Sequence, residues 1–330
     1  MKPENMISFE DSRVQLEAMV RQENRFYRCA DYLEVDEPEP VYSPLHVVAE
    51  CALLVTDVRS ALREDVQAKN ILQSPSRVNK FPSPTRSPNT SFNDIYSLSE
   101  SIPQPNRPPR SRSKRPSVEL SFLHSWRHQM LDWAFTVANI FGLDRDVVTV
   151  AFSILDRYVS FEMETDDDVP ISRKDFQLYS MTAMYIAVKN VVPVRKLTMD
   201  TLVDMSRGGY TAEEFTSKER DILFALDWHL NPPTVIDFCR QYMRLFPGSQ
   251  SSMFEVEECC RYIAEMALDD VYFISKSSST VALAIFLLAM QRVEAYMGET
   301  HNFLENLKGS VSIQSGEFNS ITGRLECLLG

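Results

Sequence analysis

The chain has 330 residues, with 34 basic and 46 acidic side chains, a formal net charge of −12 and only nine glycines. That length leaves room for about two domains. The acidic balance argues against nucleic acid as the main partner of the folded part, and the scarcity of glycine favours helices over β-sandwiches and Gly-rich nucleotide folds.

In chain order, residues 1–34 are read as an N-terminal helix running from 8 to 33. Leu16, Met19, Val20, Glu23, Phe26 and Tyr27 share one side, and Arg13, Glu17, Arg21 and Arg25 lie mostly elsewhere. Arg13-Val14-Gln15-Leu16 has the form of an Arg-x-x-Leu degradation signal, but its place inside the helix makes helix surface the better reading. An acidic break, Glu37-Pro38-Glu39-Pro40, opens an insertion over 35–73 that is partly helical, with Val47, Val48, Cys51, Leu54, Val55, Val58 and Leu62 marking a helix within 45–72. The stretch 74–118 holds nine of the eighteen prolines, eleven serines, and eight basic residues against two acids. Such a composition cannot bury enough apolar surface to offset the entropy of folding, so it reads as a disordered linker.

Periodic helices resume at about Phe122. Trp126, Met130, Trp133, Ala134, Val137, Ala138 and Phe141 form one apolar face, and Val147, Ala151, Ile154, Leu155 and Tyr158 repeat the pattern. After the acidic loop Asp166-Asp167-Asp168, Ser172 opens a helix to Asn190, with Asp175 reaching back to complete a capping box. From Phe176 to Val188 that helix is apolar or small nearly all round, as expected of a rod enclosed by other helices and too short to span a bilayer. A short helix over Met199 to Ser206, the break Gly208-Gly209, and a last helix capped at Thr211 and running to about Trp228 complete the first unit, 119–231. Beyond Pro232-Pro233 a second unit, 232–330, repeats the scheme with stretches 234–246, 252–273, 277–296, 302–307 and 317–328. Its middle segment, Val281 to Met290, is again apolar all round. The predicted fold class is all-α, with two tandem five-helix bundles preceded by a helix and a disordered insertion.

Cys29, Cys51, Cys239, Cys259, Cys260 and Cys327 include no Cys-x-x-Cys pair, and the five histidines are scattered, so no metal site and no cofactor is expected. The N-terminus lacks an apolar signal stretch, and the thiols read as inert packing residues of a reducing compartment. Without a phosphate-cradling Gly loop, a metal spacing or a nucleophile–base pair, an enzyme has little to stand on.

Several segments together resemble the cyclins, the regulatory subunits of cyclin-dependent protein kinases. The resemblance covers about residues 122–328 and, more faintly, Gln22-Glu23 and Asp31-Tyr32-Leu33 of the first helix. Trp126-Arg127-His128-Gln129-Met130-Leu131-Asp132-Trp133 is similar to the opening motif of the cyclin box, Leu155-Asp156-Arg157-Tyr158-Val159-Ser160 to its second helix, and Ala187-Val188-Lys189 to the end of its third. Tyr210-Thr211 and Glu219 match its fifth helix. Leu226-Asp227-Trp228 and Pro233-Thr234 match the exit to the second box. The resemblance implies two stacked five-helix cyclin-box bundles. It also implies a chain that does no chemistry itself but binds a kinase catalytic subunit and pushes its mobile helix inward.

The resemblance assigns Lys189 and Glu219 to kinase binding. Independently, Glu219 interrupts the apolar stripe Phe215, Ile222, Leu223, Leu226, and a carboxylate there needs a cation, for which Lys189 is a candidate. An internal salt bridge closing the helix ends is the alternative, and both roles can hold together. Arg127 and Asp156 match the family's buried structural ion pair. Trp126, Gln129, Met130, Trp133 and Gln177 correspond to the patch where many cyclins dock Arg-x-Leu substrates, although Gln stands where an aliphatic residue is usual and Thr136 replaces an acid. Ser74 and Ser83, each followed by Pro with a nearby Arg, are candidate phosphosites or simply Ser-Pro pairs of a linker. The run carrying Arg107, Arg110, Arg112, Lys114 and Arg115 is a candidate nuclear-import segment, with an RNA- or chromatin-touching tail or a simple solvated linker as the alternatives, giving an expected location in the nucleus and cytoplasm. No membrane association and no direct nucleic-acid binding are expected. The competing readings are a kinase-independent cyclin-fold scaffold, a transcription-type cyclin, and a DNA-gripping transcription subunit, whose repeats would be expected to be basic.

Overall fold

The structure, a computed structural model, describes residues 8–33, 117–165, 170–192, 196–246, 253–293, 300–307, 309–311 and 314–329, with the side chains of 117–121 left aside. Every regular element among them is helical. Helix α1 spans Phe9–Phe26. The first bundle consists of α2 (Ser117–Ile140), α3 (Asp146–Thr165), α4 (Arg173–Val191), α5 (Met199–Met205) and α6 (Ala212–Ala225). The second consists of α7 (Val235–Leu245), α8 (Met253–Asp269), α9 (Ser278–Arg292), α10 (Thr300–Leu307) and α11 (Ser315–Leu329). The expected helix within 45–72, the loop at Asp166–Asp168, Ser74, Ser83 and the run from Arg107 to Arg115 lie outside the described residues. Helix α2 begins at Ser117, inside the stretch read as linker.

Each bundle is organised around its apolar rod. In α4 the buried run extends from Phe176 to Met184 and resumes at Ile186 to Val188, interrupted by half-buried Tyr185. In α9 it is unbroken from Ser279 to Met290. Burying a Leu, Ile, Phe or Met side chain contributes about 1.5–3 kcal/mol, so these two rods anchor their cores. The Ser172 hydroxyl accepts from the Asp175 amide at 3.1 Å but donates to the Asp175 carboxylate at 2.6 Å. The expected return bond from Asp175 to the backbone is replaced by this side-chain pair. Helix α6 has the complete box, Thr211 with Glu214.

Several helix ends differ from the sequence expectation, and at two of them the structure shows the cause. The 252–273 stretch stops at Asp269, because Asp270 caps a separate 3₁₀ turn, its carboxylate accepting from the Tyr272 amide at 3.1 Å. The first helix ends at Phe26 rather than 33, and the reason is tertiary. Leu16 and Val20 of α1 are buried in the core of the second bundle, while Tyr32 and Leu33 are buried in the core of the first. A continued helix would carry Tyr32 along the second bundle; leaving the helix delivers it to the first.

Charged side chains fasten the bundles to one another. Arg145 at the start of α3 makes a paired contact with Glu265 of α8, at 2.6 and 2.8 Å. Asp146 meets Arg261 at 3.2 Å and Arg240 at 3.4 Å, and both arginines also hold Glu257. His128 of α2 pairs with Asp269. No described helix is long and apolar enough to cross a membrane.

Candidate functional site: a cation–anion pair beside an exposed aromatic turn

Lys189 closes the last turn of α4, where a cation is favoured by the helix dipole, and its ammonium lies 5.0 Å from the Tyr185 ring. Its Nζ donates to Glu219 Oε1 at 2.6 Å, joining α4 to the middle of α6. The Lys189 side chain is 43 % exposed and that of Glu219 15 %. The anion is thus tucked against the apolar stripe while the cation faces solvent, and among the described residues two of the three ammonium protons remain for an outside acceptor. An ion pair this exposed adds about 0–1 kcal/mol to stability.

The residue after Lys189 extends the ridge: the Asn190 side-chain amide donates to the Asn231 side-chain carbonyl. This tie brings in the turn that ends α6, whose Leu226-Asp227-Trp228 is similar to the cyclin-box exit motif. In it the Trp228 amide donates to the Leu223 carbonyl at 3.0 Å and the Asp227 amide to the Phe224 carbonyl at 3.2 Å. That pair of bonds is the Schellman closure, whose left-handed position usually holds glycine. Here Asp227 and Trp228 are both left-handed, with φ of 48° and 60°. For a residue with a Cβ that conformation costs roughly 1–2 kcal/mol. After α2 the same closure uses Gly142 and folds the next residue, Leu143, into the core. Trp228 is instead 61 % exposed, edge-on to Phe224, which is 68 % exposed. A tryptophan following an Asp at a glycine position is the one signal that could have marked this turn in the sequence.

The Arg127–Asp156 pair is buried, 2 % and 8 % exposed. Arg127 donates from Nε to Asp156 Oδ1 at 3.0 Å and from Nη2 to Oδ2 at 2.9 Å, and from Nη1 to the Leu268 carbonyl at 2.8 Å. The Tyr32 hydroxyl adds a 2.8 Å bond to Asp156 Oδ1. Burial alone would pull the guanidinium down, but the Asp156 charge and hydrogen bonds prevail and hold it above its ordinary value. The N-terminal segment and both bundles therefore meet at one pair of charges.

The candidate docking patch is only partly at the surface. Met130 and Gln177 are buried, whereas Trp126 and Trp133 are half-buried and Gln129 is exposed. The Gln129 carbonyl accepts from Arg173 at 3.1 Å, so the exposed member of this patch is already engaged by a cation of the chain itself. Thr136 donates to the Asp132 carbonyl of its own helix at 2.8 Å. Phe122, one turn before the patch begins, stacks on Trp126 at 6.2 Å. No group of three or more His, Cys, Asp or Glu among the described residues is placed to hold a metal ion.

Residues 95–231 match the family model of the cyclin N-terminal domain, and residues 233–323 that of the cyclin C-terminal domain. The chain belongs to the cyclin family. The first match begins upstream of residue 119, where composition placed the boundary. Among curated cyclins it is similar to Cyclin-A3-4 of Arabidopsis thaliana, 28 % identical over 49 % of this chain and 44 % of that one. It is also similar to Cyclin-A3-2 of Oryza sativa, 26 % identical over 66 % and 54 %, and to G1/S-specific cyclin-D1 of Mus musculus, 25 % identical over 57 % and 60 %. The chain thus spans about half the length of the cyclins it matches. A viral cyclin structure from herpesvirus saimiri shares the fold, with a TM-score of 0.50 and 19 % identity over 62 % of this chain and 85 % of that one.

Proposed function

We propose that this cyclin binds and activates a cyclin-dependent serine/threonine protein kinase, as a regulatory subunit in cell-cycle progression. Lys189 and Glu219 grip the kinase's mobile helix, so that the kinase's own Lys–Glu pair forms. The observation that carries this reading is the 2.6 Å pair on the α4–α6 ridge, with its cation turned to solvent. The exposed Trp228 and Phe224 supply an apolar anchor on the turn tied to Asn190. Large aromatics of this kind tend to dominate binding energy at protein interfaces. The basic run ending at Arg115 supports entry into the nucleus, and Ser74 and Ser83 fit phosphorylation by a proline-directed kinase.

Exchanging the charges, Lys189→Glu with Glu219→Lys, keeps an opposite pair but reverses which residue carries which sign. The expected result is loss of kinase capture and of stimulated phosphorylation of a proline-directed substrate, with the thermal midpoint little changed. Unchanged capture by the double variant would remove the proposal.

A further inference from the structure

Arg157 stands apart from the other buried charges of the first bundle. It is 6 % exposed, yet among the described residues no carboxylate pairs with it. Its sequence neighbour Asp156 is already engaged by Arg127 and Tyr32. Arg157 donates instead to two backbone carbonyls, Ser153 from Nε at 3.1 Å and His229 from Nη2 at 2.9 Å. Its guanidinium also lies 5.0 Å from the Tyr27 ring. Burial without a counter-charge draws it below its ordinary value, to about 10. A buried cation is costly to keep, and an apolar residue of similar size would fill the space more cheaply. What the cation provides is a rigid planar donor set able to hold one turn against two helices.

That turn is the one presenting Trp228. His229 follows Trp228 directly, and its ring is stacked on Phe26 at the end of α1, with centroids 4.0 Å apart and 16° between planes. Tyr27 meets the same ring edge-on at 6.2 Å. The turn is therefore clasped by Arg157 from α3 and by the two aromatics that close α1. Both grips act on the residue next to a left-handed tryptophan that leaves its usual place against the helix for solvent.

We propose that Arg157 and the Phe26–Tyr27 end of α1 form a brace that fixes the Asp227–His229 turn and so positions Trp228 for the kinase. In this arrangement Arg157 is a positioning residue and touches no partner itself. The kinase step rests on the reading above; the brace itself can be examined without a kinase.

The test uses the full chain with Trp126→Phe and Trp133→Phe, leaving Trp228 as the sole tryptophan. Arg157→Met is expected to lower the fluorescence anisotropy of Trp228 in the free protein, and Phe26→Ala, at a half-buried site, to do the same if Arg157→Met folds poorly. Arg157→Lys is not expected to restore it, because one ammonium cannot span both carbonyls. In the second arm, Arg157→Met is expected to weaken kinase binding by about tenfold with Trp228 present, and by less than about twofold in a Trp228→Ala background. Unchanged anisotropy in both Arg157→Met and Phe26→Ala overturns the brace. Equal losses of affinity in the two backgrounds overturn its action through Trp228. A chain that binds no kinase before any of these changes defeats the functional reading instead, and the anisotropy arm still decides the brace.

Discussion

Arg127 of the first bundle donates to the Leu268 carbonyl of the second at 2.8 Å, while its other nitrogens hold Asp156. One guanidinium therefore closes the C-terminal end of α8 and neutralises a carboxylate on α3. Asp156→Ala would leave Arg127 buried without its counter-charge and Tyr32 without its acceptor. The expected loss is about 3–5 kcal/mol, read from urea unfolding. A loss below about 1 kcal/mol would mean that water reaches the joint.

Glu23 joins α1 to the second apolar rod. Its Oε1 accepts from the Ser279 amide in the first turn of α9 at 3.1 Å, and its Oε2 has no partner among the described residues. The α9 cap residue, Ser277, is engaged with the Thr280 hydroxyl at 2.7 Å and makes no side-chain cap bond. A carboxylate from α1 thus serves the buried N-terminus of α9. Burial pushes this carboxyl above its ordinary 4.5, outweighing the hydrogen bonds from Ser279. The native state then holds the proton more tightly than the unfolded chain. Its contribution is full below 4.5 and is lost as pH rises through the folded value. Glu23→Gln keeps the acceptor for Ser279 and removes the titration. The variant should gain on the wild type as pH rises from 4.5. A stability difference that stays flat across that range would contradict the assignment.

Glu257, held by Arg240 and Arg261 in the second bundle, should respond to acid in the opposite sense. Burial raises Glu257, but the hydrogen bond and charge of Arg240, and then Arg261, prevail and leave it lowered. Its contribution is present above its ordinary 4.5 and disappears as pH falls through the lower folded value. Glu257→Gln is expected to cost less than about 1 kcal/mol at neutral pH, since water screens the cluster. That cost should vanish in acid, and shrink in roughly 1 M salt, where the Debye length is about 3 Å. A cost that persists under both conditions would point to packing instead of charge.

Asp227 occupies the glycine position of its helix closure, with φ of 48°. Asp227→Gly relieves the Cβ strain but adds freedom to the unfolded chain, so the net expected gain is about 0.5–1 kcal/mol. Differential scanning calorimetry reads it directly. A loss would show that the Asp227 carboxylate, 4.0 Å from the His229 ring, matters more than the strain.

Trp228→Ala removes an exposed ring and should shift stability by less than about 0.5 kcal/mol. Kinase affinity measured by titration calorimetry should fall by about tenfold or more if the ring is an anchor. Unchanged affinity would remove Trp228 from the kinase-contacting surface while leaving the Lys189–Glu219 proposal standing.

The local repeat of apolar residues determined most of the helices. Three or four positions between buried side chains place α2, α3 and α7, and an unbroken apolar run can only be an enclosed rod, which identifies α4 and α9 as bundle centres. The contact between Lys189 and Glu219 was also legible, because a carboxylate inside an apolar stripe calls for a cation. What only the tertiary structure decided were the joints: where α1 stops, Tyr32 on Asp156, Arg127 on Leu268, and Arg157 with Phe26 on the 229 turn. These partners lie far apart along the chain, Tyr32 and Asp156 by 124 positions and Arg127 and Leu268 by 141. Periodicity reports which face of a helix is buried, since neighbours on one helix share that fate. It carries no information on which distant donor meets which acceptor, because that depends on how separately formed helices pack.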